Sequence, residues 1–448
     1  MKKTTALLAG GALLALSGSA FAASNLDLNV YGASAEFNFW KTAANGYMTS
    51  ATGFKCASTI PADGVPAVDS SAAHGILQGV NCTGPAVPAA VKGGNITLRF
   101  SSKASYDGVF AALAQADVNA DNSCGTANAN QLNQRKMAVL PTDASHTVSA
   151  TTCVNVNAGA SDVPGEAFTE VSNGQLKGHL GGGYISRSFG TPDLPGIDTS
   201  ALANSPAQPV KVPFGFFVNK NVTAKTCTAG RVGDYCNADI DCSTKVNGSA
   251  VAGTCGSTAS TINTMTREMA DIIFSGQATN WSAFGPAFTA QPLVVCLRHA
   301  GSGTHAALDH AVMADGAWGG QLVQNEVANF IYFNDGSGDE RNCINAFNGA
   351  VGYLDADSSV PTNGAGPLKY NGLYPSAYAI QNGAYDFWVD QTVYFPDTIT
   401  ADQQTAWNNM FSYLNSTTGL TNAGYAQFWA ASNNMTVSKE AESVYPHK

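Results

Sequence analysis

Short apolar runs that stop at a turn of small and hydroxyl residues, each followed by helical spacing, constrain this chain more than any other feature. Asn29-Val30-Tyr31 reads as a strand ending at Gly32-Ala33-Ser34, after which Phe37, Trp40 and Ala44 recur at helical spacing. Ile96 to Phe100 reads as a second strand, and Asp107 to Ala116 as a helix apolar at Val109, Ala112 and Leu113. Leu293 to Leu297 is a buried strand, and His305 to Met313 a helix. Strand–loop–helix repetition predicts an α/β fold with open, mainly parallel sheets flanked by helices. Pro209 to Asn219 predicts a strand crossing into a second domain, and Ala350 to Leu354 one crossing back. Thr266 to Phe274 and the stretches 402–415 and 422–433 carry helical patterns.

Lys2 and Lys3, an apolar stretch from Ala6 to Ala15, and Ser19-Ala20-Phe21-Ala22 form a signal peptide over 1–22, with cleavage expected after Ala22. No Cys follows that point, so no lipid anchor is expected, and the chain is assigned to the periplasm or to secretion. About 426 residues remain, enough for two or three domains of roughly 150 residues. The expected layout is a discontinuous domain I over 24–212 and 356–448, and a domain II over 213–355. Residues 51–93 and 118–156 read as loop-rich insertions.

An even number of cysteines in an exported chain reads as disulfides. Local bridges Cys56–Cys82, Cys124–Cys153 and Cys296–Cys343 are expected. Cys227, Cys236, Cys242 and Cys255 would form a separate two-bridge knot, whose three connectivities the sequence leaves open. Losing Lys2 and Lys3 takes the formal charge from -10 to -12, which argues against nucleic acid as a partner. A small buried anion is compatible with it, because such a site works through local dipoles and one or two cations.

The strongest local signal is Arg298-His299-Ala300-Gly301-Ser302-Gly303-Thr304, directly after a buried strand and before a helix. Small residues let the backbone approach a ligand, the helix N–H groups converge, and Ser302 and Thr304 add hydroxyls. Arg298 supplies a planar fork suited to an oxyanion. Three further turns offer similar chemistry: Gly32-Ala33-Ser34, Ala104-Ser105-Tyr106-Asp107-Gly108 and Gly159-Ala160-Ser161-Asp162. Taken singly, Ser34 and Ser105 are helix-capping candidates.

In this order the four segments resemble the periplasmic phosphate-binding proteins of ABC transporters, with their type 2 periplasmic-binding fold. Ile273-Phe274-Ser275-Gly276-Gln277-Ala278-Thr279-Asn280-Trp281 and Gly349-Ala350-Val351-Gly352-Tyr353 are similar to two further stretches of that family. The resemblance implies hydroxyl donors at Ser34 and Ser105 and a backbone donor at Ala35. It also implies an acceptor for the phosphate's proton at Asp162, with closure by Arg298, Ser302, Gly303 and Thr304. It implies a monomeric binding protein that needs no cofactor and catalyses no reaction, with an ABC-transporter permease as partner. The chain departs from the family at Ala300, where an Asp commonly orients the Arg, and at Glu36, where Pro is frequent. Glu36 is expected to be solvated in the first helical turn.

No metal site is expected. His299, His305 and His310 lack zinc-pair spacing, and Asp117-x-Asn119-x-Asp121 continues with Asn122 and Asn128 where a calcium loop needs Gly and Glu. Tyr385, Phe387 and Trp388 read as core or hinge packing. Two rival readings are an adhesive or partner-binding extracellular protein that has lost anion binding, and a hydrolase using Ser302 with His299 or His305.

Overall fold

The computed structural model describes residues 24–69, 73–115, 124–125, 132–142, 145–173, 176–177, 184–185, 196–317, 319–358 and 364–448. Residues 1–22 of the expected signal peptide lie outside them, as do residues 117–128 apart from Cys124 and Gly125.

The first sheet has seven strands. Its centre is β1 (Leu26–Gly32), parallel to both β5 (Ile96–Ser102) and β8 (Ala158–Ser161). The insertion at 51–93 is not a loop. It folds as β2 (Cys56–Ile60), β3 (Ala67–Asp69) and β4 (His74–Cys82), which extend the sheet beyond β5 by antiparallel pairing. These runs are short and broken by Gly and Pro, which hides their alternation in the sequence. The second insertion holds a hairpin of β6 (Gln134–Ala138) and β7 (Thr151–Asn155).

Helix α1 (Ala35–Thr49) covers this sheet with Phe37, Phe39, Trp40, Ala43, Ala44 and Tyr47. Phe39 stacks on Trp429 at 4.7 Å and Trp40 meets Trp407 edge-on at 6.0 Å, so C-terminal residues complete the N-terminal core. Fully burying one such ring contributes on the order of 1.5–3 kcal/mol. Helix α2 (Ser105–Ala112) is buried along its whole length against β8 and β1.

The second sheet has nine strands. The crossing strand is β9 (Val210–Asn219), whose distal half pairs antiparallel with the later strand Ala350–Asp355. After α3 (Arg267–Phe274), β10 (Val294–Arg298) leads through a turn into α4 (Gly303–Leu308), which continues as a π-helical turn over Asp309–Met313. β11 (Ile331–Asn334) pairs parallel with β10 and leads into α5 (Ser337–Ala346); β12 (Ala350–Asp355) is parallel to β10 on its other side. Both sheets thus have parallel centres and antiparallel flanks.

The return path is β13 (Trp388–Asp390), paired with the proximal end of β9, followed after Gln391 by β14 (Thr392–Tyr394), paired with β8. Only Gln391 separates a strand of the second sheet from a strand of the first. The expected boundary at residue 355 does not coincide with this change of sheet, since Ala365–Pro367 still pairs with β9. Tyr385, Phe387 and Trp388 are buried at this crossing.

The C-terminal helices are α6 (Ala401–Leu414) and α7 (Thr417–Asn422). The expected helix over 422–433 is not formed; the chain turns at Gly424, with φ +79°. The bridges Cys56–Cys82, Cys124–Cys153 and Cys296–Cys343 are present, and the knot pairs Cys227 with Cys242 and Cys236 with Cys255. Among the described residues no helix is long and apolar enough to cross a membrane.

Candidate functional site

Three turns of the first sheet are stitched together by backbone. Ala33 N–H donates to the Ala160 carbonyl at 2.9 Å and Lys103 N–H to the Gly32 carbonyl at 2.9 Å. Gly32, at φ +134°, allows this, because a Cβ there would lie 2.8 Å from Gly108 Cα and would strike the Ala160 carbonyl oxygen. Ser34, Ser105 and Asp162 are thereby brought to one edge of the sheet.

Neither serine caps its helix. Ser34 is the N-cap of α1 without a capping side-chain bond, and the N-cap of α2 is Ala104. The Ser105 hydroxyl donates instead to Asp162 Oδ2 at 3.1 Å. Asp162 is fully buried, and burial pushes its carboxyl up to about 6 against the opposing Ser105 bond and the Arg298 charge.

The fourth turn reaches these groups from the second sheet. Gly303 lies directly on them: a Cβ there would sit 2.8 Å from Asp162 Cβ and would strike Ser105 Oγ. Tyr106 N–H donates to the Gly301 carbonyl at 3.2 Å, and Ala300 N–H to Ser172 Oγ at 3.0 Å. Arg298 Nη1 contacts Ser34 Oγ at 3.4 Å and Ser337 Oγ at 2.7 Å, while Nη2 donates to the Asp335 carbonyl at 3.0 Å. With Ala300 in place of the orienting Asp, the guanidinium is held by the turn that opens α5. Ser302 caps α4 by accepting the His305 N–H at 3.4 Å.

The structure therefore brings together Ser34, Ser105, Asp162, Arg298 and Gly303, with Ala35, Ser302 and Thr304 next to them in the chain, all buried or nearly so. Asp162 Oδ1, Arg298 Nε and Thr304 Oγ1 are buried without a hydrogen-bond partner among the described residues. Buried polar atoms are ordinarily hydrogen-bonded, so these three are free to serve a guest. Ser337 escaped the sequence reading, although Asn334-Asp335-Gly336-Ser337 is itself a strand-end turn before a helix.

The expectation for Glu36 is corrected. Only 3% exposed, it accepts a bond at Oε1 from the Gln391 side chain rather than facing solvent. Burial, reinforced by Asp162, pushes its carboxyl up to about 8.

His299, His305 and His310 are each held by hydrogen bonds within the fold. Tyr353 Oη receives the Arg298 N–H at 3.0 Å and lies 2.6 Å from His305 Nδ1. Burial and the Arg298 charge push His305 down to about 3, which makes it a weak base. His299 Nδ1 accepts the Gly301 N–H at 3.0 Å. Asp309, His310 and Asp315 bring three ligand-type atoms within 4.8 Å of one another, but both ring nitrogens of His310 are occupied, by Asp315 and by the Ala167 carbonyl. Cys227, Cys236 and Cys242 are spent in disulfides.

Two sheets joined by crossing strands, with opposed strand-end turns meeting between them, define a two-lobed α/β fold. More narrowly, residues 246–407, less than half of the chain, match the PBP superfamily domain. No curated protein matches the sequence. Similar solved structures include an ABC-type phosphate transport receptor from Vibrio cholerae, with 18% identity over 51% of this chain and 75% of that chain, TM-score 0.33. A phosphate-binding protein from Stenotrophomonas maltophilia shares 13% identity over 90% of each chain, TM-score 0.42. An ancestral soluble variant of the human phosphate-binding protein shares 13% over 91% of this chain and 92% of that chain, TM-score 0.45.

Proposed function

We propose that this protein is an exported solute-binding protein that captures inorganic phosphate, or a like tetrahedral oxyanion, between its two lobes for delivery to an ABC-transporter permease. The observation that carries this reading is the meeting of Arg298 and Gly303 from one lobe with Ser34, Ser105 and Asp162 from the other. Hydroxyls, amides and one guanidinium form the donor set, and Asp162 is the acceptor of this reading. Monohydrogen phosphate brings a proton to that acceptor, whereas sulfate brings none and would leave two acceptors facing each other in a dry site. No step of covalent chemistry is needed.

Titration calorimetry of the mature protein tests this. Phosphate should bind at micromolar affinity or better and sulfate should not bind. The absence of heat with phosphate, arsenate and sulfate alike would reject the reading in favour of a partner-binding role.

A further inference from the structure

The site described above is shut. Asp162 and Thr304 are fully buried, and Ser105, Arg298 and Ser302 are each 1% exposed, so an anion reaches them only when the lobes part. Two connections between the lobes are β9 and the run from β13 through Gln391 to β14. The end of the chain makes a third. It is anchored on the first lobe, where Trp429 stacks on Phe39 of α1 and Asn433 N–H donates to Asn415 Oδ1 at 2.7 Å. It then passes Gln381, whose carbonyl accepts the Thr436 N–H at 2.9 Å, and Gly383, where a Cβ would lie 3.1 Å from Val437 Cγ1. It ends on the second lobe. Ser443 hydrogen-bonds the Asp315 carboxylate, and the Arg267 guanidinium of α3 sits over the Tyr445 ring, 4.7 Å from its centroid.

Between these anchors the tail covers the free edge of β13. Alternate residues of an antiparallel strand turn their backbone groups to opposite sides. The Phe387 carbonyl and the Gln391 N–H bond to β9, so the Asp386 and Trp388 carbonyls and the Asp390 N–H point away from it. Lys439 Nζ donates to the Asp386 carbonyl at 3.0 Å and to the Trp388 carbonyl at 2.6 Å, with the ammonium 4.2 Å from the Trp388 ring centroid. Glu442 Oε1 accepts the Asp390 N–H at 3.1 Å. This i,i+3 pair takes the place of a neighbouring strand where the chain passes from one sheet to the other. We propose that residues 436–445 form a strap that holds the lobes shut and sets the rate at which the bound anion is released. This rests on the phosphate-binding reading. Parting the lobes turns α3 away from α1. With the tail fixed at Trp429 and at Tyr445, that motion bends β13 against Lys439 and Glu442 or pulls Tyr445 off Arg267.

The test compares the wild type with three variants of the mature protein. Lys439→Met keeps the apolar stem and removes the ammonium. Tyr445→Ala frees the far anchor, and its ring is half exposed, so the core is left intact. Thr400→Ala removes the N-cap of α6, at the opposite end of that helix from Asn415, and serves as a control for stability alone. Radiolabelled phosphate chased with unlabelled phosphate gives the release rate. Release should quicken about tenfold in Lys439→Met and in Tyr445→Ala, with association within about twofold of wild type. Thr400→Ala should melt lower and release at the wild-type rate. Hydrogen exchange at the Asp390 amide should also quicken in Lys439→Met. Wild-type release in both strap variants, or equal acceleration in Thr400→Ala, overturns the inference while leaving phosphate binding intact. No phosphate binding by the wild type overturns both.

Discussion

His310 Nε2 lies 2.8 Å from the carbonyl oxygen of Ala167, and its Nδ1 bonds the Asp315 carboxylate. One ring thus ties the π-helical turn after α4 to the short turn that follows Asp162 on the other sheet. Both partners accept hydrogen bonds, so the ring must donate twice and carry a charge. Burial opposes that charge, but Asp315, the Ala167 carbonyl and Asp309 outweigh it and hold the pKa at about 9. A raised cationic pKa stabilises the fold fully below the ordinary value of 6.5 and is lost as pH climbs through about 9. The melting temperature should therefore fall between pH 7 and 9.5 by more in the wild type than in His310→Gln. At pH 6, His310→Ala should cost about 2 kcal/mol in denaturant unfolding.

Arg298→Ala should reduce phosphate affinity at least a hundredfold, consistent with the roughly 2–5 kcal/mol cost of truncating one partner of a buried charged contact. Arg298→Lys should recover little, because a point charge cannot serve Ser34, Ser337 and the Asp335 carbonyl together. Ser337→Ala should cost about tenfold by loosening the guanidinium. Calorimetry on the three variants checks the order, and retained wild-type affinity in Arg298→Ala would remove this residue from the site.

The strand-end turns were legible because each needs small residues between an apolar run and a helix, and that pattern is local. The turns that carry Ser34, Ser105, Asp162 and Arg298 could be placed from sequence for this reason, while the acceptor role of Asp162 was only what the family resemblance implies. Ser337 and Gln391 were not found, because their roles depend on which strands lie side by side. The burial of Glu36 was invisible for the same reason: a Glu in a first helical turn reads as solvated until a crossing strand is laid over it. The strands at 56–82 were missed because Gly and Pro break their alternation, and only pairing with β5 orders them.

Asp162→Asn should uncouple selectivity from stability. The burial that raises the Asp162 pKa to about 6 favours the neutral form, so the wild type is penalised as pH rises from 3.8 through about 6. The amide carries no such penalty, and the variant should melt higher than wild type at pH 7.5. It should also admit sulfate, since the asparagine side chain can donate. Thermal-shift series with phosphate and with sulfate read both effects, and sulfate rejection that survives the change would exclude Asp162 as the proton acceptor.

Cys296 and Cys343 join β10, which carries Arg298, to α5, which opens with Ser337. Their bridge therefore fixes the distance between a guanidinium and the hydroxyl that aims it. It closes a sequence separation of 47 residues, for which chain entropy gives roughly 4 kcal/mol of stabilisation. The Cys296→Ala, Cys343→Ala double variant should melt several degrees lower and bind phosphate several-fold more weakly. The Cys236–Cys255 bridge sits in the knot at 227–255, remote in sequence from the four turns, and offers a matched control. Its double alanine variant should loosen that knot while leaving phosphate affinity within about twofold. Calorimetry and scanning melts on both variants separate the two roles, and equal losses of affinity would show that the Cys296–Cys343 bridge contributes general stability rather than the placement of Arg298.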